Sequence, residues 1–215
     1  MKLEFIQSSE TAASRETFAL LKEVASIVCP DAEIYLETDA RPDAGAFSLK
    51  IDGRFVQWGS AADAVPPRWH IEAELLRSTG PGGLLFLCVA NSARSQMGEG
   101  VARLLAPNGV RVQSAGSHPT SVRPEAAVVL SELGIDTKAH FSKNVSDIDP
   151  ETVDTVITLC AEEECPVFLG RAVRLHWGLP DPAAVSGSEA ERLNAFRDTR
   201  DELNKRLRII WPTKD

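Results

Sequence analysis

The order of apolar and polar residues changes character near residue 80. Before it, Leu3–Ile6 reads as a short strand and Arg15–Val28 as a helix with its apolar residues on one face. Glu33–Glu37 alternates as a strand does, and Phe47–Ile51 and Phe55–Trp58 flank Asp52-Gly53-Arg54, a hairpin signal. Trp69–Arg77 closes the segment as a helix. Residues 1–79 therefore form a small α+β domain in the order β-α-β-β-β-α, and the turn-rich stretch at 80–83 reads as a linker. From 84 to 215 strands alternate with helices. Leu84–Cys88 is a continuous apolar run, as expected of a buried parallel strand. Ser95–Leu105 is helical, Val110–Ser114 is a strand, and Pro124–Leu133 is a helix opened by proline. Asp154–Leu159 and Val173–His176 are further buried strands, and Ser188–Leu207 is a long, charged, amphipathic closing helix. This alternation predicts a doubly wound, parallel, four-stranded α/β sheet covered on both faces. Right-handed crossovers place the strand C-termini, and Cys88 with them, along one edge.

Composition changes this picture only at its margins. Hydrophobic residues make up 43% of the 215 and charged residues 25%, the balance of an ordinary globular chain. With 23 Lys plus Arg against 31 Asp plus Glu, the net charge of −8 argues against a nucleic-acid or anionic-membrane surface. An anionic substrate would have to be drawn in by a local positive site. No apolar stretch is long enough for a membrane span, and MKLEFIQSSE lacks the features of a signal peptide, so a cytoplasmic location is expected. In that reducing setting Cys29, Cys88, Cys160 and Cys165 are thiols or catalytic groups before they are staples. Cys29, at a helix end before Pro30, reads as structural. His70, His118, His140 and His176 form no ligand cluster, and Phe5, Phe18, Phe47, Phe55 and Trp58 read as core.

The informative stretch is Cys88-Val89-Ala90-Asn91-Ser92-Ala93-Arg94-Ser95, between the first buried strand of the second domain and a helix. A five-residue loop entering a helix turns its backbone N–H groups inward, a nest for a tetrahedral oxyanion. The helix N-terminus and Arg94 favour negative charge there, and hence the nucleophilic thiolate of Cys88. Arg94 can grip two oxygens of the anion, and Val89–Ala93 supply the cradle. Ser95 can donate to the thiolate, and Asn91 can tie the loop to itself. The plainer reading is a buried cysteine ending a strand beside an unrelated arginine. The strand–loop–helix context speaks against it.

The loop fits Cys-x5-Arg, the oxyanion loop of thiol phosphatases. With Ser114-Ala-Gly116, Gly134-Ile-Asp136, Thr158-Leu-Cys160 and His176-Trp-Gly-Leu-Pro-Asp-Pro182 it resembles the thioredoxin-coupled arsenate reductases, which are built on the low-molecular-weight tyrosine phosphatase scaffold. The related phosphatases usually carry a cysteine where this chain has Ala93, and tyrosines where it has Ala183-Ala184. The resemblance implies that arsenate is the substrate and that three thiols act in relay. Cys88 attacks arsenic(V) with Asp181 as general acid, Cys160 attacks Cys88 and releases arsenite, and Cys165 resolves the disulfide for reduction by thioredoxin. An Asp-Pro pair alone is usually a turn, but its proline neighbours would stiffen a loop holding a carboxyl over the anion.

In Cys160-Ala-Glu-Glu-Glu-Cys165 the four intervening residues are fewer than the family usually has. Five residues of helix rise ~7.5 Å, beyond the ~4.4–6.8 Å that a disulfide tolerates between Cα atoms. The segment must therefore unwind or loop, and glutathione or mycothiol stands beside thioredoxin as the external reductant. No tightly bound cofactor is expected. Some relatives bind potassium beside the loop, and Asn91, Glu99, Ser114 and, with a short gap, Asp147 are the matching positions. The first domain weakly resembles a reduced thioredoxin fold without its Cys-x-x-Cys, since Gln7-Ser8-Ser9-Glu10 stands there. A docking role, or a homodimer through this domain, is the alternative. Rival functions are a phosphatase for phosphotyrosine or small phosphate esters, and a non-catalytic oxyanion or arsenic sensor.

Overall fold

The computed structural model describes residues 1–38, 47–56, 64–161 and 166–212. Contacts divide the chain into two compact units, Met1–Gly80 and Pro81–Asp215. Among the described residues no helix is long and apolar enough to cross a membrane.

The first unit contains β1 (Lys2–Gln7), α1 (Ala12–Val28), β2 (Glu33–Thr38), β3 (Phe47–Ile51), β4 (Arg54–Phe55) and α2 (Arg68–Thr79). Its sheet runs β2-β1-β3-β4, with β2 parallel to β1, β3 antiparallel to β1 and β4 antiparallel to β3. Leu3 and Phe5 lie opposite Ile51 and Leu49, and all four are buried with Leu21 and Val24 of α1. The Thr11 side chain accepts from the Ser14 N–H, so α1 begins one turn before its apolar stripe. Asp52 and Gly53 take positive φ, as the hairpin signal requires. Between β1 and α1 the chain carries no thiol. Burial pushes the Cys29 thiol up from its ordinary value, as suits an inert group at the end of α1.

The strand expected at Glu33–Glu37 is present as β2, an edge strand that leaves Tyr35 and Leu36 exposed. One expectation fails in this unit: Phe55 is not core. It is 52% exposed, with the Lys50 ammonium 4.6 Å from its ring centroid. Trp58 lies outside the described residues.

The second unit contains β5 (Gly83–Cys88), α3 (Arg94–Leu105), β6 (Arg111–Gly116), α4 (Pro124–Ser131), β7 (Thr155–Cys160), β8 (Val173–Leu179) and α5 (Glu189–Ile210). Short 3-10 turns lie at Val145–Asp147, Pro150–Thr152 and Pro182–Ala184. The sheet order is β6-β5-β7-β8 and every neighbouring pair is parallel. Every residue of β5 is buried, which explains its unbroken apolar run. Asp154 accepts from the N–H groups of Gly82 and Gly83 at 2.8 and 2.9 Å, so these linker glycines are fastened to the start of β7.

The two faces of this sheet are covered differently. On the Phe86 side lie α3, α4 and α5, which pack on one another. Gly98 lets α3 settle on β5, since a Cβ there would stand 2.9 Å from the Phe86 ring. The side carrying Leu85, Leu87, Ala115 and Val156 is covered by Ile148, Val153 and Phe168, from 3-10 turns and loops. At the far edge of the helical layer, hydrogen bonds from Arg197 and Arg200 hold the Glu132 carboxyl down to about 2. The order of the strands reverses between β5 and β7. A crevice therefore opens at their C-terminal ends, where Cys88 and Cys160 stand.

Candidate active site

Between β5 and α3 the loop Val89–Ala93 is held from outside by its carbonyls. The Val89, Ala90 and Ser92 oxygens accept from the N–H groups of His118 (2.9 Å), Thr120 (3.0 Å) and Arg123 (2.9 Å). The Asn91 oxygen accepts from Ser142 Oγ at 2.6 Å and Gln96 Nε2 at 3.1 Å. In a trans peptide the C=O and the following N–H point in opposite directions. With four carbonyls turned outward, the N–H groups of Ala90, Asn91, Ser92 and Ala93 face the interior of the loop. They form the predicted nest together with the opening of α3. Asn91 takes φ +44°, a left-handed conformation that asparagine tolerates better than most residues. Gly116 of β6 lies directly beneath. A Cβ there would come within 2.4 Å of the Val89 carbonyl and 2.8 Å of the Asn91 nitrogen, so only glycine admits the loop.

The side chains form one directed chain. Asn91 Nδ2 donates to Ser95 Oγ at 2.8 Å and to Ser114 Oγ at 2.9 Å. Ser95 Oγ lies 2.9 Å from Cys88 Sγ, and once Cys88 is a thiolate, with no proton of its own to give, the serine hydroxyl is the donor of that pair. Ser114 in turn donates to Glu99. Asn91 Oδ1 accepts from Gln96 Nε2 at 3.1 Å and from the Lys143 N–H at 2.9 Å. Gln96 Oε1 stands 3.0 Å from His140 Nδ1, and burial pushes the His140 ring below its ordinary value. A neutral ring donating from Nδ1 satisfies both groups. Cys88 is itself buried.

Arg94, the first residue of α3, is buried and donates from Nη1 to the Leu179 carbonyl at 3.1 Å. Its Nη2 is 3.6 Å from Asp181 Oδ1. Asp181 is partly exposed and caps the turn Pro182–Ala184 by accepting from the Ala183 N–H at 3.2 Å. The Leu179-Pro-Asp-Pro182 arm thus brings a carboxyl to the mouth of the loop, next to the guanidinium. Cys160 is buried at the end of β7. Leu87 pairs with Thr158, and beyond it the pairing of β7 with β8 is irregular between Thr158 and Cys160. Cys165 lies outside the described residues.

Of the four residues matched to a potassium ion, Asn91, Glu99 and Ser114 come together and Asp147 does not. The Asp147 carboxylate accepts from the Asn144 N–H at 3.1 Å within its own turn. Asn91 turns its amide nitrogen, not its oxygen, toward Ser114. Buried Glu99 is met by Arg103 at 2.5 Å and by Lys143 Nζ at 3.4 Å. A cage of free oxygens is what potassium requires, and this set does not fit it. Among the described residues no group of three or more His, Cys, Asp or Glu could hold a metal. Sequence reasoning missed Gln96 and Lys143, and read His140 only as outside any ligand cluster. Each acts across the fold from an unremarkable position.

A thiol at a strand end, an inward-facing backbone loop, an arginine opening the next helix and an Asp-Pro arm together define the low-molecular-weight phosphatase class. The low molecular weight phosphotyrosine protein phosphatase family matches residues 83–212, and the chain belongs to it. Within that class it is similar to proteins described as arsenate reductases. The one from Halalkalibacterium halodurans is 37% identical over 132 residues, covering 60% of this chain and 95% of the relative. The one from Bacillus licheniformis is 40% identical over 136 residues, again 60% and 95%. A solved structure of an arsenate reductase in the phosphate binding state is 31% identical, with a TM-score of 0.51, over 58% of this chain and 92% of that one.

Proposed function

We propose that this chain reduces arsenate to arsenite by a three-thiol relay. The observation that carries the reading is the pairing of a buried Cys88, 2.9 Å from Ser95 Oγ under an inward-facing loop, with a second buried cysteine ending the neighbouring parallel strand. The loop binds the arsenate oxygens and Arg94 takes two of them. The Cys88 thiolate forms an S–As bond, and an As–O bond breaks as Asp181 protonates the departing oxygen to water. The Cys160 thiolate then attacks Cys88 Sγ, an S–S bond forms, and the S–As electron pair goes to arsenic, which leaves as arsenite. Two thiols are oxidised as arsenic(V) becomes arsenic(III). Cys165 attacks Cys160 and frees Cys88, and an external dithiol of the thioredoxin class, or a low-molecular-weight thiol, reduces the Cys160–Cys165 disulfide. A phosphatase has no use for the second and third thiols.

Arsenate-dependent oxidation of NADPH through thioredoxin and its reductase tests this. Turnover is expected with arsenate. Hydrolysis of an aryl phosphate without arsenate reduction would favour a phosphatase, and oxyanion binding without either reaction would favour a sensor.

Asp181→Asn is expected to lower the turnover number by about 10²–10⁴-fold, the usual worth of a positioned general acid, with arsenate binding retained. Pre-steady-state rates, which isolate the chemical step, check this. An unchanged rate would remove Asp181 from the mechanism. The fragment 81–215 is expected to fold and to release one arsenite per molecule, because its sheet, its anion loop and the Asp154 clasp on Gly82 and Gly83 all lie within it. Thermal unfolding and a single-turnover assay decide. A fragment that does not fold would show that the first unit is part of its stability.

A further inference from the structure

Glu99 is a carboxylate almost wholly removed from water, its side chain 3% exposed. Such a charge persists only beside opposite charge and donors. Among the described residues its carboxylate meets the Ser114 hydroxyl, the Arg103 guanidinium and the Lys143 ammonium. Arg103 is an i,i+4 neighbour on the same helix, its side chain about half exposed. Lys143 comes from a distant loop and is far more enclosed, at 16%. Its ammonium lies 3.4 Å from Glu99 Oε2, 3.4 Å from the Phe141 carbonyl and 4.6 Å from the centre of the Phe141 ring. Carboxylate, carbonyl and aromatic face are the surroundings a dehydrated monovalent cation would choose. The same residue's N–H holds Asn91 Oδ1, and its carbonyl accepts from the Gly116 N–H at 3.0 Å. Lys143 is therefore clamped to the anion loop by its backbone and to the carboxylate behind that loop by its side chain.

We propose that Lys143 is a built-in cation, covalently supplied at the position expected for a potassium ion, so that this chain neutralises Glu99 without a bound ion. Its effect on chemistry is indirect. Lys143 is a positioning residue that keeps Glu99, Ser114, Asn91 and Ser95 in the order that aims a proton at Cys88. The claim does not depend on the relay, so its failure and the failure of arsenate reduction are separable.

Thermal unfolding of the full chain in potassium, sodium and tetramethylammonium chloride at equal ionic strength tests it. Wild-type midpoints should agree within about 2 °C across the three salts. Lys143→Gln opens the site. Its midpoint should fall by roughly 4–8 °C in tetramethylammonium, and potassium should restore most of that loss in a saturable way. Lys143→Arg, which keeps the charge, should remain indifferent to the salt. A wild type stabilised saturably by potassium would overturn the proposal. So would a Lys143→Gln loss that is absent, or equal in all three salts. If Lys143→Gln does not fold in any salt, the wild type and Lys143→Arg decide: salt-indifference in both supports the built-in cation, and a potassium response in either overturns it.

Discussion

Cys88→Ser should abolish arsenate reduction and any aryl phosphatase activity together, to below about 1% of wild type, because both reactions begin with the same nucleophile. Serine keeps the hydrogen-bond partner of Ser95 Oγ and nearly the volume of the thiol, so fold and anion site should survive. The physical reason for the loss is specific. The groups around Cys88 are arranged for a large, polarisable anion. Ser95 directs a proton at it, and inward N–H groups and the start of α3 lie above it. None of these makes an alkoxide accessible at neutral pH. Arsenite release, p-nitrophenyl phosphate hydrolysis and a thermal melt on the same sample check the expectation. Either activity above about 1%, in a sample free of wild type, would sink the nucleophile assignment.

Cys160→Ser should separate the two reactions. Multiple turnover with thioredoxin should fall to background, since the thiol that attacks Cys88 Sγ to release the arsenic is gone. Aryl phosphate hydrolysis, which needs only water to clear Cys88, should persist. Cys165→Ser should instead permit one arsenite per molecule and trap a Cys88–Cys160 disulfide, recoverable by peptide mapping without reductant. The pairing of β7 with β8 is irregular between Thr158 and Cys160, so the end of β7 is the part of the strand most easily released to bring the two sulfurs together. Trapping that disulfide should therefore raise hydrogen exchange at Leu159–Ala161. If Cys165→Ser turns over normally with thioredoxin, the relay is wrong, and a mechanism in which an outside thiol resolves the Cys88 adduct becomes the better account.

What could be read from the sequence follows from how far apart the interacting residues lie. The second sheet was legible because β5 is buried on both sides and must be apolar throughout, and α5 because Ser188 and Glu191 form its capping box ahead of an apolar stripe. The anion loop was legible because its nucleophile and its guanidinium are six residues apart and bracketed by a strand and a helix. β2 was legible as a strand but not as an edge, because alternation says which residues share a face and not whether anything covers it. Phe55 was misjudged because its strand ends after two residues and its ring finds Lys50 instead of the core. Lys143 was invisible because its partner Glu99 is 44 positions away and a lone lysine in a polar loop bears no pattern.

Gly116 belongs to a different strand from the cysteine it serves, and so do nearly all the groups that shape the loop above it. The octapeptide from Cys88 to Ser95 is therefore not a portable module. Transplanted between a strand and a helix of another protein, it would keep its nucleophile and arginine and lose the floor that lets Val89 and Asn91 come so close. Without His118, Thr120 and Arg123 to hold its carbonyls, nothing would oblige its amides to face inward. Chemistry here is a property of the sheet's edge as a whole. A search for this activity by the short motif alone would gather many chains that have the letters and lack the bowl.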